Sequence, residues 1–202
     1  MKREEIITSA SPLPGGYRQL EYIEGTGTQY IDTGVLNGEF LDFELEFKPT
    51  DTQFNYWIFG SRYGSMNDEY GLLWQVNDSQ HVGLCLRLTY KGNQYFNSLT
   101  TNSFHKVKLD GNDFYIDGVL KNSFQRTAFY NKYSVIINGG NQQNNTIWPG
   151  NSSWKSVKLW YDSNLVRDYI PALRISDLKS GLYDLVNNQF YTNAGTGEFL
   201  YV

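Results

Sequence analysis

The sequence is poor in cysteine, histidine and alanine, and each shortage excludes something. A single Cys, Cys85, rules out an internal disulfide and a cysteine-built zinc cage. Two histidines, His81 and His105, leave little material for a metal centre or a proton relay. Ala occurs only four times in 202 residues, so the strongest helix former is nearly missing. No apolar run approaches the roughly 20 residues of a transmembrane helix, so no membrane insertion is expected. The opening Met1–Thr8 has no apolar h-region and does not read as a secretory signal. Positive charge is not in excess: 17 Lys and Arg stand against 21 Asp and Glu, a net charge of −4. The electrostatic footprint of nucleic-acid binding is therefore missing. Nor is there a Gly-x-Ser-x-Gly elbow, a phosphate-binding loop, a His-Glu-x-x-His pair or a paired-cysteine motif. No cofactor is expected.

What the chain has instead is 16 Tyr, 12 Phe, 5 Trp, 19 Asn and 19 Gly. Aromatic residues favour pleated, half-buried strands, and Asn and Gly favour the turns between them. A two-residue period dominates from Tyr17 onward. Leu41, Phe43, Leu45 and Phe47 alternate with Asp42, Glu44 and Glu46, giving one apolar and one acidic face. Tyr70, Leu72, Trp74 and Val76 share a face, and so do Val82, Leu84, Leu86 and Leu88. His105, Val107 and Leu109 repeat the pattern, as do Tyr133, Val135 and Ile137, and Val157, Leu159 and Tyr161. Turn signals separate the runs at Lys91–Asn93, Asp110–Asp113 and Asp117–Gly118. Asn187-Asn188 predicts a tight hairpin between Tyr183–Val186 and Gln189–Thr192. About a dozen short strands and no helical period predict an all-β, antiparallel β-sandwich of jelly-roll type. Residues 1–16 form an N-terminal arm and a Pro/Gly-rich linker, and 17–202 form the sandwich. Segment 162–180 is the least strand-like, and Pro171 places it as an edge or loop.

Three strings carry a resemblance. Gln19–Gly34 (QLEYIEGTGTQYIDTG) is similar to the opening of a laminin-G-like, concanavalin A-like jelly-roll module. Phe104–Gly118 (FHKVKLDGNDFYIDG) resembles the hairpin of that superfamily, with Phe104 where Trp is usual. Gly181–Phe199 (GLYDLVNNQFYTNAGTGEF) resembles the ending of a family found in gut-bacterial surface proteins and in structural proteins of their phages. The resemblance implies a lectin-like fold in a virion setting, such as a phage tail fibre, baseplate or capsid decoration, with the bacterial cell surface as the alternative.

The clearest enzyme-like feature is Asp42-x-Glu44-x-Glu46, since a glycosidase needs two carboxyl groups flanking the scissile bond. Jelly-roll glucanases carry Glu-x-Asp-x-Glu on a strand, and the order here is changed. The plain alternative, a solvated outer strand face, is favoured. Asp110, Asp113 and Asp117 suggest calcium only weakly, and turn chemistry explains them. Cys85 and His105 are expected to pack.

A binding surface has better support. Asn138–Trp154 (NGGNQQNNTIWPGNSSW) is a long, uncharged, amide-rich stretch with two Trp. Amides suit sugar hydroxyls and an aromatic face suits sugar C–H groups, so the expected ligand is a neutral glycan. Trp148, Asn141, Gln142, Gln143, Asn144 and Asn145 are the candidate ligand-binding residues, with Tyr63 on a second loop. Trp154 is expected to anchor the following strand. The expectation is thus a non-catalytic adhesion or carbohydrate-recognition module. Its partners would be a host cell-surface glycan and neighbouring virion or surface subunits, homo-oligomerisation being compatible. The alternatives are a glycoside hydrolase using Glu44 and Glu46, and a purely structural module.

Overall fold

A computed structural model of the protein describes residues 11–50, 56–62, 69–76, 82–88, 92–96, 99–126, 130–142 and 146–202. The strands in chain order begin with β1 (Tyr17–Gln19), β2 (Ile23–Glu24), β3 (Ile31–Gly38), β4 (Leu41–Pro49), β5 (Tyr56–Arg62) and β6 (Glu69–Val76). There follow β7 (Val82–Leu88), β8 (Gly92–Phe96), β9 (His105–Asp110), β10 (Asp113–Ile116), β11 (Val119–Ser123) and β12 (Tyr130–Ile137). The chain ends with β13 (Asn141–Gln142), β14 (Thr146–Ile147), β15 (Ser152–Tyr161), β16 (Asn164–Arg174), β17 (Lys179–Asp184), β18 (Gln189–Thr192) and β19 (Leu200–Tyr201).

These strands form two large sheets. The larger, of 11 strands, runs β11-β10-β9-β4-β15-β16-β17-β18, with β1, β2 and β19 added at its margins. The smaller, of 8 strands, runs β5-β6-β7-β8, with β12 and β3 on one side of β5 and the β13–β14 pair beside it. The protein is an all-β sandwich, as the two-residue period predicts.

The core is the space between the inner faces. In β4, Leu41, Phe43, Leu45 and Phe47 are fully buried while Asp42, Glu44 and Glu46 are half-exposed. Phe43 meets Phe59 and Tyr70 of the smaller sheet at ring-centroid distances of 5.3 and 6.1 Å. Tyr70 also donates its hydroxyl to Leu41 O at 2.6 Å, a polar tie across the sandwich. Phe96 and Phe114, 5.1 Å apart, repeat the inter-sheet contact near the other margin. Each such side chain contributes about 1.5–3 kcal/mol by leaving water.

Two expectations about local structure change. Pro171 lies within β16, an interior strand, rather than on an edge or loop. The reason is a change of partner. On one side β16 pairs with β15 up to Tyr169 and then with β1 from Ala172 onward. Pro171 O accepts from Leu20 N at 3.1 Å, so its missing N–H faces that same side, at the gap between the two partners. Tyr161 sits opposite buried Leu41 but beyond the rim of the core, 37 % exposed and edge-on to Phe40.

The hairpin at Asn187-Asn188 is present, with β17 ending two residues earlier than expected, at Asp184. Asn188 takes the left-handed φ of 53°. Asp184 is fully buried, and its carboxylate accepts from Asp168 N, Val186 N and the Asn187 amide at 3.0, 3.0 and 2.7 Å. Of the predicted arm and linker, residues 1–10 lie outside the described residues, and β1 begins at Tyr17.

Candidate functional site

The amide-rich stretch after β12 is anchored at its base by one side chain. Asn138 adopts a left-handed φ of 59°, which Asn tolerates better than most residues. Its Nδ2 donates to Gln29 O at 2.7 Å and to Gly150 O at 2.8 Å, while its Oδ1 accepts from the Trp154 indole N–H at 3.2 Å. Gly150 N returns a bond to Asn138 O at 2.8 Å. Both ends of the stretch are thus fastened to one buried amide and, through Trp154, to the core.

Between these ends the chain is more regular than a loop. Gly140 and Trp148 exchange backbone hydrogen bonds at 3.3 and 3.1 Å. Beyond them Asn141 pairs with Ile147 and Gln142 with Thr146, making the β13–β14 hairpin. β13 also pairs parallel with β5, Asn141 opposite Ser61 and Gln142 opposite Arg62. A sequence of amides without apolar alternation hides such a hairpin, because the pairing is carried by backbone groups alone.

The hairpin lies against Trp57. A methyl group on Gly140 would stand 2.5 Å from the Trp57 ring, and one on Gly150 would stand 2.4 Å from Trp57 O. Only glycine permits that approach. Trp57 itself belongs to a row across the outer face of the smaller sheet, Trp57–Leu73–Cys85–Tyr95, which forms a second apolar cluster. Cys85 is buried there and burial pushes its thiol up, so it packs rather than attacks.

Of the predicted ligand-binding residues, Trp148 is 49 % exposed and stands on the outside of this anchored hairpin. Trp154 is fully buried, against Phe47 at 5.6 Å. Asn141 is buried as well, its amide donating to Ser134 O at 3.2 Å, so it braces the hairpin rather than presenting its side chain to solvent. Gln142 is half-buried. Gln143, Asn144, Asn145 and Tyr63 lie outside the described residues.

Beside the hairpin is a cleft of about 420 Å³, lined by Tyr30, Asp32, Gly34, Leu36, Ser134, Asn141 and Ile147. Tyr30, Asp32 and Leu36 were not candidates on sequence. The available signal was the exposed alternate positions of β3, where Asp32, Gly34 and Leu36 all face out. The cleft offers a phenol ring, a carboxylate, a hydroxyl and two aliphatic walls, a mixture that can hold a polyhydroxylated ligand.

The acidic strand lies on the other sheet. Asp42 is ion-paired with Arg126 and accepts from Gly111 N, yet burial holds its carboxyl above the usual range. Glu44 lies 3.4 Å from Lys106, and Glu46 stands opposite Lys106 and Ser156 in register. His105 is buried, and its ring nitrogens face Asp117 Oδ2 and Thr100 O, both at 2.9 Å. Burial works against the Asp117 carboxylate, but the His105 and Lys106 N–H bonds outweigh it and hold its pKa below the ordinary value. Asp110 pairs with Lys108 and Asp113 accepts from Ser123, so the three aspartates serve their hairpin. Among the described residues no group of three or more metal-ligating side chains comes together.

Compared with known proteins, the chain matches no family model, no curated protein and no solved structure.

Proposed function

We propose that the chain is a non-catalytic adhesion or carbohydrate-recognition module, of laminin-G/concanavalin A-like type, that binds a neutral glycan on the β13–β14 hairpin and the cleft beside it. The observation that carries the proposal is Trp148. A large ring left half exposed on a hairpin held at its base by Asn138, and backed by buried Trp57, costs free energy in water unless something covers it. A sugar ring fits such a flat apolar face, and the half-buried Gln142 amide on the same hairpin suits a sugar hydroxyl. The resemblance of the closing string Gly181–Phe199 to bacterial surface and phage structural proteins supports a virion or bacterial-surface setting, with a host glycan as partner. In that setting the module also touches neighbouring subunits.

A glycan array probed with the purified protein tests the proposal. Binding to one family of neutral glycans is expected, with little dependence on salt because Asn138–Trp154 carries no charge. An array with no bound glycan favours the purely structural module. Release of reducing sugar that Glu44→Gln abolishes favours the hydrolase.

A further inference from the structure

We propose a second glycan-binding site, a groove across the outer face of β9, β4 and β15 on the larger sheet, with Trp160 as its stacking platform. It uses none of the residues of the β13–β14 hairpin, so the two sites stand or fall separately.

The groove is made of two hollows that share a wall. One, of about 250 Å³, is lined by Asp42, Lys108, Leu109, Asp110, Trp160 and Ser163. The other, of about 260 Å³, is lined by Glu44, Lys106, Lys108, Asp110, Tyr115 and Gly118. Lys108 and Asp110 line both, so the hollows lie side by side on the same face, parted by that ion pair. Register explains the arrangement: Trp160 stands opposite Asp42, and Tyr115 opposite Lys108, which in turn faces Glu44. From Trp160 on β15 to Tyr115 on β10, three strand spacings of about 4.8 Å, the two hollows together extend roughly 14 Å, room for a short oligosaccharide.

Its charge defines the ligand. Asp42 is paired with Arg126, Asp110 with Lys108 at 2.6 Å and Glu44 with Lys106 at 3.4 Å. Three acids against three bases leave no net charge, so neither an anion nor a cation is favoured over a neutral molecule. What remains is a dense array of donors and acceptors. Among the described residues the hydrogen bonds Asp42 makes fall on Oδ1, which leaves Oδ2 to accept from a ligand. The Trp160 indole N–H has no partner among the described residues and is not sealed from water. Two aromatic rings, Trp160 and Tyr115, close the groove at opposite ends. A peptide is a poor match, because peptides add to a sheet through an unpaired strand edge and β9, β4 and β15 are all paired on both sides. Planar polar groups between aromatic faces suit neutral sugar rings.

Titration of ¹⁵N-labelled protein with cellotetraose, maltotetraose, chitotetraose and mannotetraose tests the proposal, because each of the five Trp indoles gives its own N–H signal. At least one of these sugars should shift the Trp160 indole signal, assigned with Trp160→Phe. Trp160→Ala should weaken that sugar's binding by about tenfold or more, and Trp148→Ala by less than about twofold. Tyr115→Ala, at the other end, should weaken it in the same direction and serves if Trp160→Ala does not fold. No Trp160 shift with any of the four sugars, or unchanged affinity in both groove variants, overturns the proposal. A shift that Trp148→Ala abolishes also overturns it, and assigns the sugar to the hairpin. Loss of hairpin binding alone leaves the groove intact and removes the other site.

Discussion

Asn138 and Trp154, sixteen residues apart, are joined by an indole-to-amide hydrogen bond of 3.2 Å inside the core. The bond ties the hairpin that carries exposed Trp148 to the strand that carries buried Trp154. One tryptophan is thus sealed in the core, and the other stands half exposed on the hairpin.

Trp154→Ala should cost about 3–5 kcal/mol in a denaturant titration, as removal of a fully buried aromatic side chain does. Asn138→Ala should cost about 1–3 kcal/mol, because it strands Gln29 O, Gly150 O and the Trp154 N–H and puts Ala at a positive φ. A cost under about 0.5 kcal/mol for either would mean that the clasp does not hold the hairpin.

Gly140→Ala should push the hairpin off Trp57, since the added methyl meets the indole at 2.5 Å. The expected stability loss is about 1–3 kcal/mol. Glycan affinity should fall with it, although Gly140 itself offers a ligand no side chain. Calorimetric binding by a folded variant checks this, and unchanged affinity would show that the hairpin position is irrelevant.

The Asp117 carboxylate is held below its ordinary pKa by His105 and the Lys106 N–H, against the opposing effect of burial. A depressed folded-state pKa contributes stability that is fully present above the unfolded value and is lost as pH falls through the folded one. Asp117→Asn should therefore destabilise the protein at neutral pH. The gap to wild type should close as the pH drops below the usual aspartate range. Because Asp117 is half exposed, the gap should be small and shrink with added salt. Melting curves across that range, at low and high salt, provide the check, and a gap that widens in acid contradicts the assignment.

Glu46→Gln should change stability by no more than about 0.5 kcal/mol, since Glu46 sits on a solvated strand face opposite Lys106 and Ser156. A larger loss in urea denaturation would assign that carboxylate a role the outer face does not explain.

The sandwich was legible wherever one face of a strand is apolar. Leu41, Phe43, Leu45 and Phe47 announce their burial by period alone, and so do Leu84, Leu86 and Leu88. Pro171 misleads because its tolerance depends on where β15 hands over to β1, a fact of long-range pairing. The β13–β14 hairpin is hidden for the opposite reason, as its amides carry no apolar period. Trp148 and Trp154 could be told apart from their neighbours, Pro149-Gly150 after one and the Val157/Leu159 alternation after the other. The cleft could not be found this way. Its walls, Tyr30 and Leu36 on one side and Ile147 on the other, lie more than a hundred residues apart and meet only in the folded chain.

The most direct test of the hairpin as a recognition site is the affinity of Trp148→Ala for the best glycan from the array, measured by calorimetry beside its melting temperature. Binding weaker by about 1–3 kcal/mol is expected, with stability unchanged to within about 0.5 kcal/mol. Wild-type affinity in a folded Trp148→Ala protein would contradict that expectation.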